Sequence, residues 1–293
     1  MPFSTELQKT LDPYLGRHWI DSHCHFDFEN FDCQREEHWQ VLQTLGCVGL
    51  VIPGVMAKGW DKLIGLCESK PWGYALGLHP YFLDEHLADD IDALASLARE
   101  KMTQSLLSES SPLVAIGEFG LDYALEGADQ VKQRDLCLQQ LLLAEELGLP
   151  VILHVRKAYD EMAAMVRRTG FRHGGIIHAF SGSLQQGQAL IALGFKLGIG
   201  GAISHSRATK LRKTLACLPL ESIVLETDSP DMRPAFWSAQ DNSPLTILLL
   251  AQIVASVQNL SLDQVIFASN NNVLAAIPRL EIIIPYMNTG DLG

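Results

Sequence analysis

Gln130 to Val155 reads QVKQRDLCLQQLLLAEELGLPVILHV. In its first part, Gln130–Leu147, the residues Leu138, Leu141 and Leu142 stand at i, i+3 and i+4, an apolar stripe of helical period. Gly148-Leu149-Pro150 then stops the helix. Val151–Val155 follows as a short, nearly all-apolar run, the pattern of a parallel strand covered on both faces. The last polar residue of that run is His154, which ends the strand.

The same step recurs on either side. Trp19–His23, Val48–Gly54, Tyr74–His79, Leu113–Glu118, Gly175–Ala179, Phe195–Gly200 and Ile223–Asp228 are further apolar runs bounded by Gly or Pro. Leu87–Lys101, Asp160–Thr169 (closed by Gly170) and Leu184–Leu193 (closed by Gly194) read as helices between them. The seven steps from the His23 run to the Asp228 run average about 29 residues, the size of a βα unit. Eight such units predict an α/β fold, a (β/α)8 TIM barrel, as one domain over residues 1–293. Residues 1–18 form an N-terminal arm and residues 244–293 the closing helices and tail. Pro244–Leu274 reads as two closing helices, and Leu280–Tyr286 as an extended piece packed outside.

Composition narrows the function. The chain is 47% apolar and 19% charged, enough for a large core and too little charge for disorder. Its net charge is −12 and it has no Lys/Arg run, which argues against gripping duplex DNA by bulk phosphate neutralisation. Six cysteines lie scattered without CxxC spacing, as expected of reduced thiols in a cytoplasmic protein. The N-terminus lacks the basic and apolar regions of a signal peptide. The most apolar run, Ile247–Val257, is too short to span a bilayer, so no membrane association is expected. No stable protein partner is inferred.

The polar residues carry the chemistry. In Asp21-Ser22-His23-Cys24-His25, strand alternation would send both imidazoles to one face and Cys24 to the other, into the layer beneath the helices. His79, Glu118, His154, His178 and Asp228 also end predicted strands, so a barrel gathers them on the C-terminal rim with His23 and His25. Burying Glu118 and Asp228 among apolar strands without partners would cost several kcal/mol each. Divalent cations supply the compensating charge. The ligand inventory suits two ions, one held by His23, His25 and Asp228, the other by His154 and His178, with Glu118 bridging. Zn, Mg, Mn or a similar metal fits this set equally. Such a centre is locally cationic within an acidic protein and suits an anionic substrate such as a phosphodiester.

These residues sit in Asp21-Ser22-His23-Cys24-His25, Gly77-Leu78-His79-Pro80, Ile116-Gly117-Glu118-Phe119-Gly120-Leu121-Asp122-Tyr123, Pro150–Arg156, His178–Gly182 and Glu226-Thr227-Asp228-Ser229-Pro230. In this order they resemble the TatD-type metal-dependent deoxyribonucleases, among the amidohydrolase-like barrels. The resemblance runs from residue 21 to 230, and Asn271-Asn272 is similar to the start of the family's final helix. It implies hydrolysis of DNA phosphodiesters, with single-stranded DNA or another phosphoester as substrate, in the manner of a 3′→5′ exonuclease. It implies His23, His25, Glu118, His154, His178 and Asp228 as metal ligands, and Asp228 also as the base for the attacking water. His79 and Arg156 match positions that hold substrate phosphate. The chain departs from the pattern at Asp241, where the family often has Arg, and at Ala179 before Phe180.

The alternative is an amidohydrolase, lactonase or phosphotriesterase on the same barrel. Many of these bridge their metals with a carboxylated Lys on the fourth strand; Leu113–Tyr123 contains no Lys and presents Glu118. Asp122 reads equally as a substrate contact or as the cap of the following turn. His205, Phe236 and Trp237 are rim candidates. His18, His38, His86 and His173 have no convergent partners in the sequence.

Overall fold

The structure, a computed structural model, describes residues 15–108 and 111–284. The arm before residue 15 and the tail after residue 284 lie outside the described residues. Eight parallel strands form one sheet in sequential order: β1 (Trp19–Asp21), β2 (Cys47–Pro53), β3 (Trp72–Leu76), β4 (Leu113–Asp122), β5 (Val151–Arg156), β6 (Gly175–His178), β7 (Phe195–Ile199) and β8 (Ile223–Leu225). Ser22 N–H donates to Leu225 C=O and Asp228 N–H to His23 C=O, so the last strand returns to the first and the (β/α)8 barrel closes.

The helices follow the strands: α1 (Glu29–Asp32), α2 (Arg35–Thr44), α3 (Trp60–Cys67), α4 (Asp90–Ser108), α5 (Gln130–Leu147), α6 (Tyr159–Thr169), α7 (Leu184–Ile191) and α8 (Thr209–Leu215). After β8 come α9 (Ile247–Gln258), α10 (Leu262–Ala276) and the short α11 (Leu280–Ile283). No single described helix is long and apolar enough to cross a membrane.

Alternation within the strands divides the core in two. Ile20, Val51, Ala75, Val114, Ile152, Ile176 and Val224 share one apolar cluster with α10 and α11. Their neighbours Trp19, Leu50, Tyr74, Leu113, Leu153, Ile177 and Leu225 belong to the larger layer beneath the helices. The first set therefore fills the barrel, and α10 and α11 plug its N-terminal end.

Three expectations are corrected here. Leu280–Ile283 is helical rather than extended, and Leu280 and Ile284 pack into the barrel plug rather than outside it. Gly73 and Gly49 make the room: a Cβ on Gly73 would meet Leu280 at 2.8 Å, and one on Gly49 would meet Ile284 at 2.1 Å. On α5, Leu138 and Leu142 are partly exposed, and the buried face instead runs through Gln133, Cys137, Gln140, Leu141 and Ala144. The two glutamines are needed inside because they hold the backbone of Asp122 and of Leu78. The strand ends also shift. β1, β3 and β8 stop before His23, His79 and Asp228, whereas β4 and β5 run past Glu118 and His154.

Candidate metal centre

Fully buried Asp21 explains why β1 ends early. Its carboxylate accepts the His23 N–H at 3.2 Å, the Thr227 N–H at 3.1 Å and the Thr227 hydroxyl. A side chain thus replaces ladder bonding and ties the chain after β1 to the chain after β8. Burial drives the Asp21 pKa up to about 7, against the hydrogen bonds from Thr227 and the amides. Asn242 adds a second tie, donating from Nδ2 to the carbonyls of Thr227 (2.8 Å) and Asp231 (2.9 Å). Within this knot Asp228 is held at φ +55°, a left-handed conformation uncommon for a non-glycine residue and concentrated at functional sites.

His23 and His25 reach the same place although they lie beyond the strand; their rings meet edge to face, with centroids 5.1 Å apart. Cys24 between them is buried in the layer beneath the helices. Glu118 stands at the middle of the site. Its Oε2 lies 3.2 Å from His23 Nε2 and 3.5 Å from His25 Nε2. Its Oε1 lies 3.1 Å from both His79 Nε2 and His154 Nδ1, and 4.0 Å from His178 Nε2. Asp228 Oδ1 is 3.4 Å from Nε2 of His23 and of His25, and its Oδ2 is 3.6 Å from His178 Nε2. All seven strand-end residues read from the sequence are therefore together.

Among the described residues three compact donor sets emerge, His23–His25–Asp228, His79–Glu118–His154 and His23–His178–Glu226, the donor atoms of each lying within 4.8 Å of one another. The first is the expected set. The second has His79 where His178 was expected; His178 instead stacks on His23 at 3.7 Å and turns Nδ1 to within 3.0 Å of Glu226. Both nitrogens of His79 are engaged, Nε2 on Glu118 and Nδ1 accepting the Tyr81 N–H.

The donor chemistry fits divalent metal. His23 Nε2 and Nδ1, His25 Nδ1 and His178 Nδ1 are buried without a well-directed hydrogen bond, although a Glu118 oxygen lies 3.2 Å from His23 Nε2 and a Glu226 oxygen 3.0 Å from His178 Nδ1. Groups that approach each other off the hydrogen-bonding direction around a shared centre are arranged as ligands. Burial alone would depress the imidazole pKa values, but Glu118 and Asp228 outweigh it. They raise His23 well above the ordinary range and His25 to about 10, while Asp122 and Glu118 raise His154 to about 9. His79 goes the other way, to about 4, because its burial outweighs the attraction of Glu118. Burial should also raise the two carboxylates, yet the imidazoles hold both below the usual range: His79, His23 and His178 for Glu118, and His178, His23 and His25 for Asp228. Each carboxylate is thus stable only beside positive charge, which bound divalent ions also supply.

Two further carboxylates support the ligands. Asp122, at the end of β4, is buried; its Oδ2 accepts from His154 Nε2 at 3.0 Å and from Arg156 Nη1 at 3.1 Å. Its Oδ1 accepts the Ala124 N–H at 2.9 Å, so it also caps the turn. Glu226, fully buried, faces His178 Nδ1 and accepts the Ala179 N–H. Glu226 was not singled out from the sequence, whereas Asp122 was read equally as a substrate contact or a turn cap; for its place beside His154 the spacing carried a signal. Glu118 and Asp122 are four residues apart on β4 and so share a face of the strand. Gly198 admits Glu226: a Cβ there would lie 2.0 Å from Oε2.

Of the remaining rim residues, Arg156 is exposed apart from its bond to Asp122. Trp237 folds back to donate to Asp241 C=O, and Phe236 stays 42% exposed. His86, without a partner in the sequence, touches the carbonyl of His79 at 2.9 Å, and His173 pairs with Glu145 at 3.4 Å.

Comparison with known proteins agrees with this geometry. Residues 20–277 match the family described as "TatD related DNase". The chain is 35% identical over 255 residues to the uncharacterized metal-dependent hydrolase YjjV of Escherichia coli K12, covering 87% of this chain and 95% of that protein. It is 33% identical over 239 residues to the "3'-5' ssDNA/RNA exonuclease TatD" of Pantoea sp., covering 78% and 87% of the two chains. The crystal structure of YjjV superposes with a TM-score of 0.80 at 34% identity, over 89% of this chain and 98% of that one.

Proposed function

Because the chain belongs to the TatD related DNase family, we propose that it is a metal-dependent phosphodiesterase that removes nucleotides from the 3′ end of single-stranded nucleic acid, with two divalent ions in the Glu118 centre. The observation that carries this reading is the division of Glu118, one carboxylate oxygen toward His23 and His25 and the other toward His79 and His154. His23, His25 and Asp228 would hold one ion, and His154 and His178 the other; His79, whose Nδ1 accepts the Tyr81 N–H, keeps its proton on Nε2 and would offer it to a substrate phosphate. Bound there, two divalent ions would acidify a water and offset charge on the phosphoryl oxygens.

The chain's own groups do the rest. Asp228, which shares the pocket with Glu118 and whose carboxyl is held below the usual range in the metal-free chain, is the acceptor for the proton of the attacking water. Arg156 presents its exposed guanidinium to a phosphate, with one Nη anchored on Asp122 so that little side-chain entropy is lost on contact. A cytoplasmic setting suits the six free cysteines, four of them buried. Glu118 in place of a strand-four Lys favours this reading over an amidohydrolase or lactonase.

The test is end-labelled single-stranded DNA with metal-stripped protein and added Mg, Mn or Zn. Mononucleotide release that depends on metal and vanishes in Glu118→Ala, with the circular dichroism spectrum retained, is the expected result. No release with any metal, together with turnover of lactones or amides, would overturn the assignment.

A further inference from the structure

The mouth of the centre is electrically lopsided. On the β1–β8 side stand carboxylates. Asp27 is buried two residues beyond His25, and Asp231 lies near enough to Asp228 and Asp241 to feel their charge. The cations nearby are engaged elsewhere: Arg233 turns back to Ala239 C=O, Arg35 donates to the carbonyls of Phe26, Asp27 and Phe28, and Lys62 donates to Asp32. On the β5–β6 side a cleft of about 450 Å³ opens, within the roughly 300–1,000 Å³ range of ligand sites. Tyr123, Lys157, Asp160, Glu161, Ser181 and Lys210 are among its lining residues.

This cleft adjoins the centre through the chain itself. Tyr123 follows Asp122, Lys157 follows Arg156, and Ser181 comes three residues after His178. Tyr123 N–H donates to Arg156 C=O at 2.9 Å, which joins the first two walls. The two carboxylates in the cleft are occupied, Asp160 by Gln186 Nε2 at 2.9 Å and Glu161 by Arg134 at 3.7 Å. The two lysines are not: neither Lys157 nor Lys210 forms an ion pair among the described residues. Lys157 is moreover held at φ +54°, a costly conformation for a residue with a side chain. In a chain of net charge −12, two unpaired lysines facing one cleft beside the centre select for an anion.

We propose that this cleft is a second phosphate subsite, in which Lys157 and Lys210 hold the phosphodiester adjacent to the scissile one, so that a bound strand leaves the centre over β5 and β6 and away from β1 and β8. The proposal rests on the phosphodiesterase reading and adds a direction to it: the substrate is a polyanion with at least two phosphates. A ligand with only the scissile phosphate gains nothing from the cleft.

The test compares wild type with Lys157→Ala/Lys210→Ala. Binding is read by fluorescence anisotropy of labelled pentathymidylate in a Glu118→Gln background, and turnover by pentathymidylate against bis(p-nitrophenyl) phosphate. The double substitution is expected to weaken pentathymidylate binding about tenfold. It should flatten the log–log salt dependence by about 0.7, the value for one single-strand phosphate contact. The loss should fall on KM rather than kcat, and the ratio of kcat/KM for the oligonucleotide to that for the small diester should fall about tenfold. Unchanged affinity and salt slope would overturn the subsite, as would equal losses on both substrates through kcat. If the wild type cleaves neither substrate, the phosphodiesterase reading fails by itself. Anisotropy then still decides the cleft: lysine-dependent, salt-sensitive binding upholds it and lysine-independent binding overturns it.

Discussion

Asp122 Oδ2 accepts from two cationic or ligating groups at once, His154 Nε2 and Arg156 Nη1. It therefore fixes which His154 nitrogen faces Glu118 and where the Arg156 fork points. Burial would raise its pKa, but the bonds from His154 and the Ala124 amide lower it, so it is charged at neutral pH. Asp122→Asn keeps the shape but removes the charge and one acceptor. Outer-shell partners of metal-binding histidines typically carry 10–100-fold of affinity or activity. Asp122→Asn is expected to lose about that much in kcat/KM or in metal affinity measured by competition with a chromogenic chelator; a change under twofold would remove Asp122 from the machinery. The sequence left Asp122 balanced between two roles because its neighbours, His154 and Arg156, lie on another strand. The candidate ligands were legible in the sequence because each stands near the end of an apolar run, several of them in separate βα units.

At the scale of elements, α10 does work that its sequence conceals. Asn270 accepts the Ile20 N–H at 3.1 Å and donates to His18 C=O at 2.8 Å, while Ser269 accepts the Leu225 N–H and Asn272 donates to Ile223 C=O. These are backbone groups of β1, of the residue before it and of β8, at the barrel's closing edge. Asn270→Ala leaves a buried donor and acceptor unsatisfied, at about 1–3 kcal/mol. A correspondingly lower midpoint in urea unfolding is expected, with turnover at 25 °C retained. The barrel's strands were readable as apolar runs bounded by Gly and Pro, and helix ends at Gly148 and Gly170 are seen in left-handed caps. Less readable were the ends of β1, β3 and β8, where side chains such as Asp21 take over backbone bonding. The inward face of α5 was also obscured, because glutamines rather than leucines are buried there. The helical tail escaped notice because the glycines that admit it lie more than 200 residues away in β2 and β3.

For the whole molecule, protons and metal ions compete for one set of charges. In the metal-free chain, the elevated pKa values of His25 and His154 mean that their protonated forms stabilise the fold. That contribution is complete below the ordinary imidazole pKa of about 6.5 and is lost as the pH rises through about 9–10. Imidazoles must be neutral to bind metal, so binding displaces protons. Titrating Zn into weakly buffered apoprotein at pH 7 should release protons, and apparent affinity should strengthen from pH 6 to 8; pH-independent affinity would contradict the shared site. Saturating metal should also stabilise the fold, by about 2.7 kcal/mol at a free concentration 100 times Kd. The thermal midpoint should rise accordingly and fall back when EDTA is added.

Asp21 grips Thr227 across the join between the first and last strands, and this has a consequence in time. During synthesis the His23–His25 pair is made first, and Asp228, which completes its donor set, follows about 200 residues later. A nascent or prematurely ended chain thus carries half of a chelator. Tight metal capture becomes a property of the finished polypeptide, and the ion, once seated, fastens its earliest strand to its latest.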